Sequence, residues 1–119
     1  MYEVIFYTDN RDRCPADEFL DDLQSKVRGK VEKWIEKLEE DGPNLPRPYA
    51  DTVKGKIREL RIVFSPNYYR FLYFFFGKTI VITHGFVKKT DKIPETEIER
   101  AGRMMQDFLQ RVKRGEIKL

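Results

Sequence analysis

Two arginines, Arg61 in ELRIVF and Arg70 in YYRFLY, are the side chains of this sequence best suited to hold a phosphate. A planar guanidinium can bond two phosphate oxygens at once. The same segment supplies further cations. Lys88 and Lys89 stand side by side, where neighbouring positive charges depress each other's pKa. One of them can then move a proton as well as offer charge, although an extended chain points only one of two adjacent residues inward. His84 is the sole histidine; its ordinary pKa suits acid–base work near neutrality, and a half-buried structural role fits it equally well. Lys54 and Lys56 flank Gly55 and, with Arg58, can hold a phosphate backbone. Spacing alone favours a plainer account of each arginine, an exposed strand residue paired with Glu59.

The charge distribution narrows the choice. Lys54 to Pro94 carries nine Lys/Arg and two acids, Glu59 and Asp91, in a chain whose net charge is only +3. The first 52 residues carry 8 basic and 13 acidic side chains. The basicity therefore belongs to one segment, which is also rich in aromatic and β-branched residues, and a positive face built on strands suits a polyanion. At 119 residues, 40% hydrophobic and 36% charged, the chain reads as one globular domain spanning residues 1–119. Its longest strongly apolar run, Phe71 to Phe76, is too short to cross a bilayer, and the N-terminus has no signal-peptide pattern. A lone cysteine, Cys14, allows no internal disulfide and points to the reducing cytoplasm. With one Cys and one His there is no zinc site of the usual type, and the central segment offers no carboxylate cluster for Mg²⁺.

The elements that must position these groups follow from pattern. Tyr2 to Thr8 alternates as a strand. Cys14-Pro15 opens a helical region whose apolar stripe, Leu20, Leu23, Val27, Val31, Trp34 and Leu38, keeps helical spacing. Gly29 leaves it open whether this is one helix or a pair, and Gly42-Pro43 ends it. Pro46 and Pro48 predict a loop over residues 44–51. Strands are expected at Lys56–Phe64, Tyr68–Phe76 and Thr79–Phe86, joined by turns short enough for antiparallel hairpins. Pro94 starts a last helix with Ile98, Ala101, Met105, Phe108 and Val112 on one side. The order β-αα-βββ-α is an α+β domain, helices laid on a mainly antiparallel sheet.

The ordered set Glu59-Leu60-Arg61, Tyr69-Arg70 to Tyr73, His84-Gly85-Phe86-Val87-Lys88-Lys89, Pro94, and Glu97-Ile98 to Ala101 resembles the phage-derived Gp49-like/HigB toxins of the RelE/ParE superfamily. The likeness covers nearly the whole chain. It implies a RelE-like, microbial-RNase-type fold and an mRNA interferase, the toxin of a type II toxin–antitoxin pair. Such an enzyme cuts mRNA in the ribosomal A site through the ribose 2′-hydroxyl, with no metal or other cofactor, and is restrained by a helix-turn-helix antitoxin. ParE-like relatives instead poison DNA gyrase, so the alternative is a gyrase-directed or non-catalytic relative that acts by binding.

Given that resemblance, cleavage needs a group to draw off the 2′-hydroxyl proton, cations against the charge developing on phosphorus, and a proton for the leaving 5′-oxygen. Arg61, Arg70, Lys88, Lys89 and His84 are the expected catalytic set. Lys54, Lys56 and Arg58 are expected to hold RNA, and Tyr73 and Phe86 to offer faces for a splayed base. Core packing is the stronger expectation for any single aromatic.

Overall fold

The computed structural model describes residues 1–119. The chain runs β1 (Glu3–Phe6), α1 (Pro15–Asp21), α2 (Ser25–Asp41), a 3-10 turn (Gly42–Asn44), β2 (Ala50–Lys54), β3 (Ile57–Phe64), β4 (Asn67–Phe76), β5 (Thr79–Lys88) and α3 (Glu95–Lys113). The α+β architecture is the expected one, with one more strand. β2 falls partly in the stretch predicted as loop: Pro46 and Pro48 keep residues 45–49 irregular, and pairing begins at Ala50, opposite Leu60. The strands form one sheet in the order β1-β5-β4-β3-β2. The β1–β5 pair is parallel and the other three pairs are antiparallel.

The helical region is a pair, and its break lies at Asp22–Gln24, ahead of Gly29, which sits inside α2 with open space around it. The Arg28 guanidinium bonds the Leu20 carbonyl through Nε (3.0 Å) and Nη2 (2.6 Å), so a side chain of α2 satisfies an end carbonyl of α1. At the far end of α2, Gly42 holds φ +53°, and a Cβ there would lie 2.4 Å from the Tyr2 ring. Only glycine turns the chain so close beneath that ring.

Alternation divides the sheet into two faces. Leu60, Ile62, Tyr69, Phe71, Tyr73, Ile80 and Ile82 pack with Ala16 and Leu20 of α1 and Val27, Val31 and Leu38 of α2. On the other side Phe74 and Val81 pack with Met104 and Phe108 of α3, and Ile57, Leu72 and Phe86 pack with Ala101. The C-terminal half of α3 is clamped to the end of β1. The Tyr7 hydroxyl donates to Asp107 at 2.6 Å, and Arg111 bonds both Asp107 and the Thr8 carbonyl. Burial first, then the bond to Asp107, push the Tyr7 hydroxyl up to about 12.

A bulge in β5 decides which residues reach the α3 side. Tyr73 pairs with Ile82 but Leu72 pairs with His84, so Thr83 is an extra residue. It reverses the alternation: His84, Phe86 and Lys88 share a face with Leu72, Arg70 and Tyr68, and strict alternation from Ile82 would have sent them to the opposite one.

Candidate functional site

Arg61 and Arg70 stand directly opposite each other across β3 and β4. Glu59, two residues before Arg61, shares their face, and its Oε1 accepts from Arg61 Nε at 3.0 Å and faces Arg70 Nε at 3.6 Å. Asp91, in the connection between β5 and α3, completes the group. One oxygen, Oδ1, lies 3.2 Å from Arg61 Nη1 and 3.2 Å from Arg70 Nη2. The main chain of the same connection takes further Arg70 donors, Nη2 bonding the Asp91 carbonyl (2.6 Å) and Nη1 the Lys92 carbonyl (3.3 Å), while Nε is left with no hydrogen-bond partner. The Tyr68 ring centroid lies 5.4 Å from the Arg70 guanidinium.

Two guanidiniums and two carboxylates thus form a balanced quartet, graded in exposure. The Arg70 side chain is 0% exposed, Glu59 7%, Arg61 22% and Asp91 73%. Burial pulls the Arg70 pKa down, the Glu59 carboxylate opposes that, and Arg61 adds to it. A fully buried cation is tolerable only because carboxylates and carbonyls surround it. Asp91 is the exposed member: it belongs to a connection, its side chain is mostly in solvent, and its oxygen sits where two guanidiniums converge. Chemically that position is an anion site, which a phosphate oxygen fits as well as a carboxylate oxygen does.

The other expected residues scatter. Lys88 lies opposite Tyr68, exposed, on the face of the quartet, and Lys89 is exposed in the connection that follows. His84 is on the same face but wholly buried. Its Nε2 lies 3.1 Å from Glu97 Oε1 and its Nδ1 lies 3.1 Å from Thr83 Oγ1, which is also 3.0 Å from the Leu72 carbonyl. With Nε2–H donating to Glu97, Nδ1 faces the Thr83 hydroxyl, whose single proton it shares with the Leu72 carbonyl. Burial lowers the His84 pKa, helped by the Arg100 charge and opposed by Glu97. Enclosed and with both nitrogens engaged, His84 is not open to a substrate; it ties the start of α3 to β5.

Tyr73 and Phe86 fail as stacking faces. Tyr73 is 0% exposed in the core under α1 and α2, and Phe86 is 7% exposed against His84, with ring centroids 5.8 Å apart. Neither leaves a face for a base. Arg58 is also on the α1/α2 side, opposite Tyr73 and over the Phe75 ring at 5.7 Å, so it points away from Arg61 and Arg70. Lys54 is exposed and paired with Glu95 at 3.2 Å, and Lys56 sits beside Gly55 in the β2–β3 turn, where φ is +56°. Arg61 lies five positions beyond Lys56, roughly 17 Å along an extended strand. The basic segment therefore forms two patches, a lysine-rich turn and the arginine pair.

The sequence offers Glu59 as a partner of each arginine, as the structure has it, but does not point to Asp91. A signal existed. The basic segment contains two acids among its charges, and both end on the same two guanidiniums.

A mixed sheet of this order, with two helices on one face and one on the other, defines the class as RelE-like. Among solved structures, the chain is similar to the isolated E. coli RelE toxin, with a TM-score of 0.53 and 17% identity over 87% of this chain and 99% of that one. It is also similar to a chain of the intact E. coli RelBE toxin–antitoxin complex, with a TM-score of 0.51 and 19% identity over 77% of this chain and 100% of that one. At such identity the likeness establishes the fold. No curated protein sequence matches. The family described as phage derived protein Gp49-like (DUF891) matches residues 18–106, and the chain belongs to that family. No helix is long and apolar enough to cross a membrane.

Proposed function

We propose that this protein is the toxin of a type II toxin–antitoxin pair, a ribosome-dependent endoribonuclease that cuts mRNA in the A site through the ribose 2′-hydroxyl. The RelE-like fold and the Gp49-like family membership support the class. The observation that carries the chemistry is the single Asp91 oxygen shared by Arg61 and Arg70. On this reading a scissile phosphate takes the place of that carboxylate oxygen. The Asp91 connection moves aside, and the negative charge that builds on phosphorus rests against two guanidiniums already oriented by Glu59.

The 2′-oxygen loses its proton to a base and bonds to phosphorus, the bond to the 5′-oxygen breaks, and that oxygen takes up a proton. The products are a 2′,3′-cyclic phosphate and a free 5′-hydroxyl. Lys88, exposed opposite Tyr68 on the face of the pair, and Lys89, exposed in the connection that follows, are our assignment for proton transfer, and Lys54 and Lys56 for holding more distant phosphates. No step calls on a metal. The partner that restrains the enzyme is a cognate antitoxin of the helix-turn-helix type, a reading supported by the likeness to a toxin solved with its antitoxin, and the working compartment is the cytoplasm.

Ribosomes programmed with a defined mRNA test this, with cut sites mapped by primer extension. The wild type is expected to give discrete A-site cuts. Arg61→Ala, whose side chain is partly exposed and whose loss leaves Arg70 in place, is expected to cut on the order of 10²–10³ times more slowly. Undiminished cutting by folded Arg61→Ala would sink the assignment. Burial of Arg70 and His84 favours one other reading, a gyrase-directed or non-catalytic relative that acts by binding. Intact mRNA with the folded wild type would select it.

A further inference from the structure

We infer that a cleft beside the arginine pair, built on Tyr49 and Trp34, is a subsite for one nucleotide of single-stranded RNA. This rests on the RNA-directed reading above and adds to it a place for a base. The cleft has a volume of about 320 Å³ and opens between α2, the segment before β2 and the edge of β3. It lies at the low end of the range of small-molecule sites, roughly 300–1,000 Å³. Tyr49 stacks on Trp34 with ring centroids 4.5 Å apart and planes 24° from parallel. Trp34 itself packs on the core beneath α2. One face of the Tyr49 ring is thereby covered, yet the residue is 41% exposed. Its main chain is pinned by bonds from Tyr49 N to the Pro46 carbonyl and from Arg61 N to the Tyr49 carbonyl. An aromatic ring fixed in place, backed on one side and open on the other, is a stacking platform.

The cations around it select the ligand. Lys30 and Arg61 line the opening and no carboxylate does. Arg61 gives Nε to Glu59 and Nη1 to Asp91, and its Nη2 has no partner in the protein. Tyr68, whose ring lies by the Arg70 guanidinium, lines the same cleft and makes it continuous with the proposed phosphate site. Val63 adds an exposed apolar wall at the point where β3 has run past its pairing with β2. A base laid on Tyr49 would carry its phosphate towards Arg61. A base within a duplex is covered on both faces, so the occupant is single-stranded.

Trp34 is the only tryptophan of the chain and reports on the cleft directly. The test titrates the purified full chain with a short 2′-O-methylated single-stranded RNA, reading Trp34 fluorescence and, separately, anisotropy of the labelled RNA. Wild type and Tyr49→Phe are expected to bind alike, with the Trp34 emission altered on binding. Tyr49→Ala is expected to bind about five- to a hundredfold more weakly, the loss of one base–aromatic stack. Lys30→Ala, at an exposed position whose ammonium also bonds the Val63 carbonyl, is expected to bind more weakly with Trp34 still responding. RNA that binds Tyr49→Ala as tightly as wild type, or that leaves Trp34 unmoved, overturns the subsite while the RNA-directed reading stands. RNA that does not bind the wild type overturns the subsite, and the ribosome assay then decides the RNA-directed reading separately: A-site cuts leave that reading standing, and intact mRNA overturns it as well.

Discussion

β3, β4 and β5 present two faces with opposite solutions to burial. Towards α1 and α2 they bury Leu60, Ile62, Phe71, Tyr73, Ile80 and Ile82, all at or near zero exposure. There the gain is removal of apolar surface from water, about 25 cal/mol per Å². Close fit is the only further demand, and Gly85 shows how close: a Cβ on it would lie 2.6 Å from Phe19 and 2.7 Å from Phe71. Towards the connection before α3 the same strands bury Glu59, Arg70 and His84. Stability on that side depends on every charge keeping its partner, because desolvation of each ion is costly and returns only through the others. A packing face tolerates change in proportion to volume. An ionic face loses most where a fully buried partner is removed, and it gains a surface where an incoming anion can compete for cations that are already assembled.

The largest effect expected tests that contrast at neighbouring residues on opposite faces. Arg70→Met leaves Glu59 buried beside Arg61 alone and should cost about 3–5 kcal/mol. Phe71→Ala should cost a similar 3–5 kcal/mol, roughly, through the cavity it opens. The two differ in how they can be rescued. Adding Glu59→Gln to Arg70→Met removes the orphaned charge, so the double variant should be more stable than the sum of the single losses. Denaturant unfolding of the four members of the cycle measures this, and strict additivity would mean that the quartet is not coupled.

A smaller effect probes the packing face. Gly85→Ala adds one methyl where two aromatic rings already stand and should cost about 1–3 kcal/mol. Thermal unfolding reads it out, and an unchanged melting temperature would mean that the Phe19 ring yields without loss.

The two faces were unequally legible in sequence. Helical spacing from Leu20 to Leu38 and alternation along β3 and β4 are local patterns, and they identified the packing face and the element order. The ionic face depends on meetings between distant segments. Arg61 and Arg70 could be placed together because a short turn joins their strands. Asp91 could not, since it arrives from a connection with no pattern of its own. Burial of His84 and Phe86 fits the structural role and the core packing that the sequence already allowed them, but the side of the sheet they take is set by one extra residue, Thr83, within β5, and nothing in THGF marks a bulge. β2 was half hidden by the prolines that precede it. Cation identity was legible, and so was Glu59 as a partner; the second carboxylate, Asp91, was not.

The smallest effect expected concerns His84, the uncharged member of the ionic face. Its pKa is lowered in the folded protein, burial being the main cause and Arg100 the next, against the pull of Glu97. The unfolded chain therefore binds a proton on this group at a higher pH than the folded chain does, and stability must fall as pH drops through the ordinary histidine value, 6.5. In His84→Gln an amide can still donate to Glu97 but nothing titrates. Carboxylates elsewhere respond to acid equally in both proteins, so the difference between them isolates this ring. Melting temperatures at about pH 7.5 and about pH 5.5, either side of that value, should show the wild type losing more than His84→Gln. If instead the wild type loses less, Glu97 outweighs burial and the folded state holds an imidazolium. The ionic face would then contain a further buried ion pair, and the N-terminal end of α3 would be held by charge.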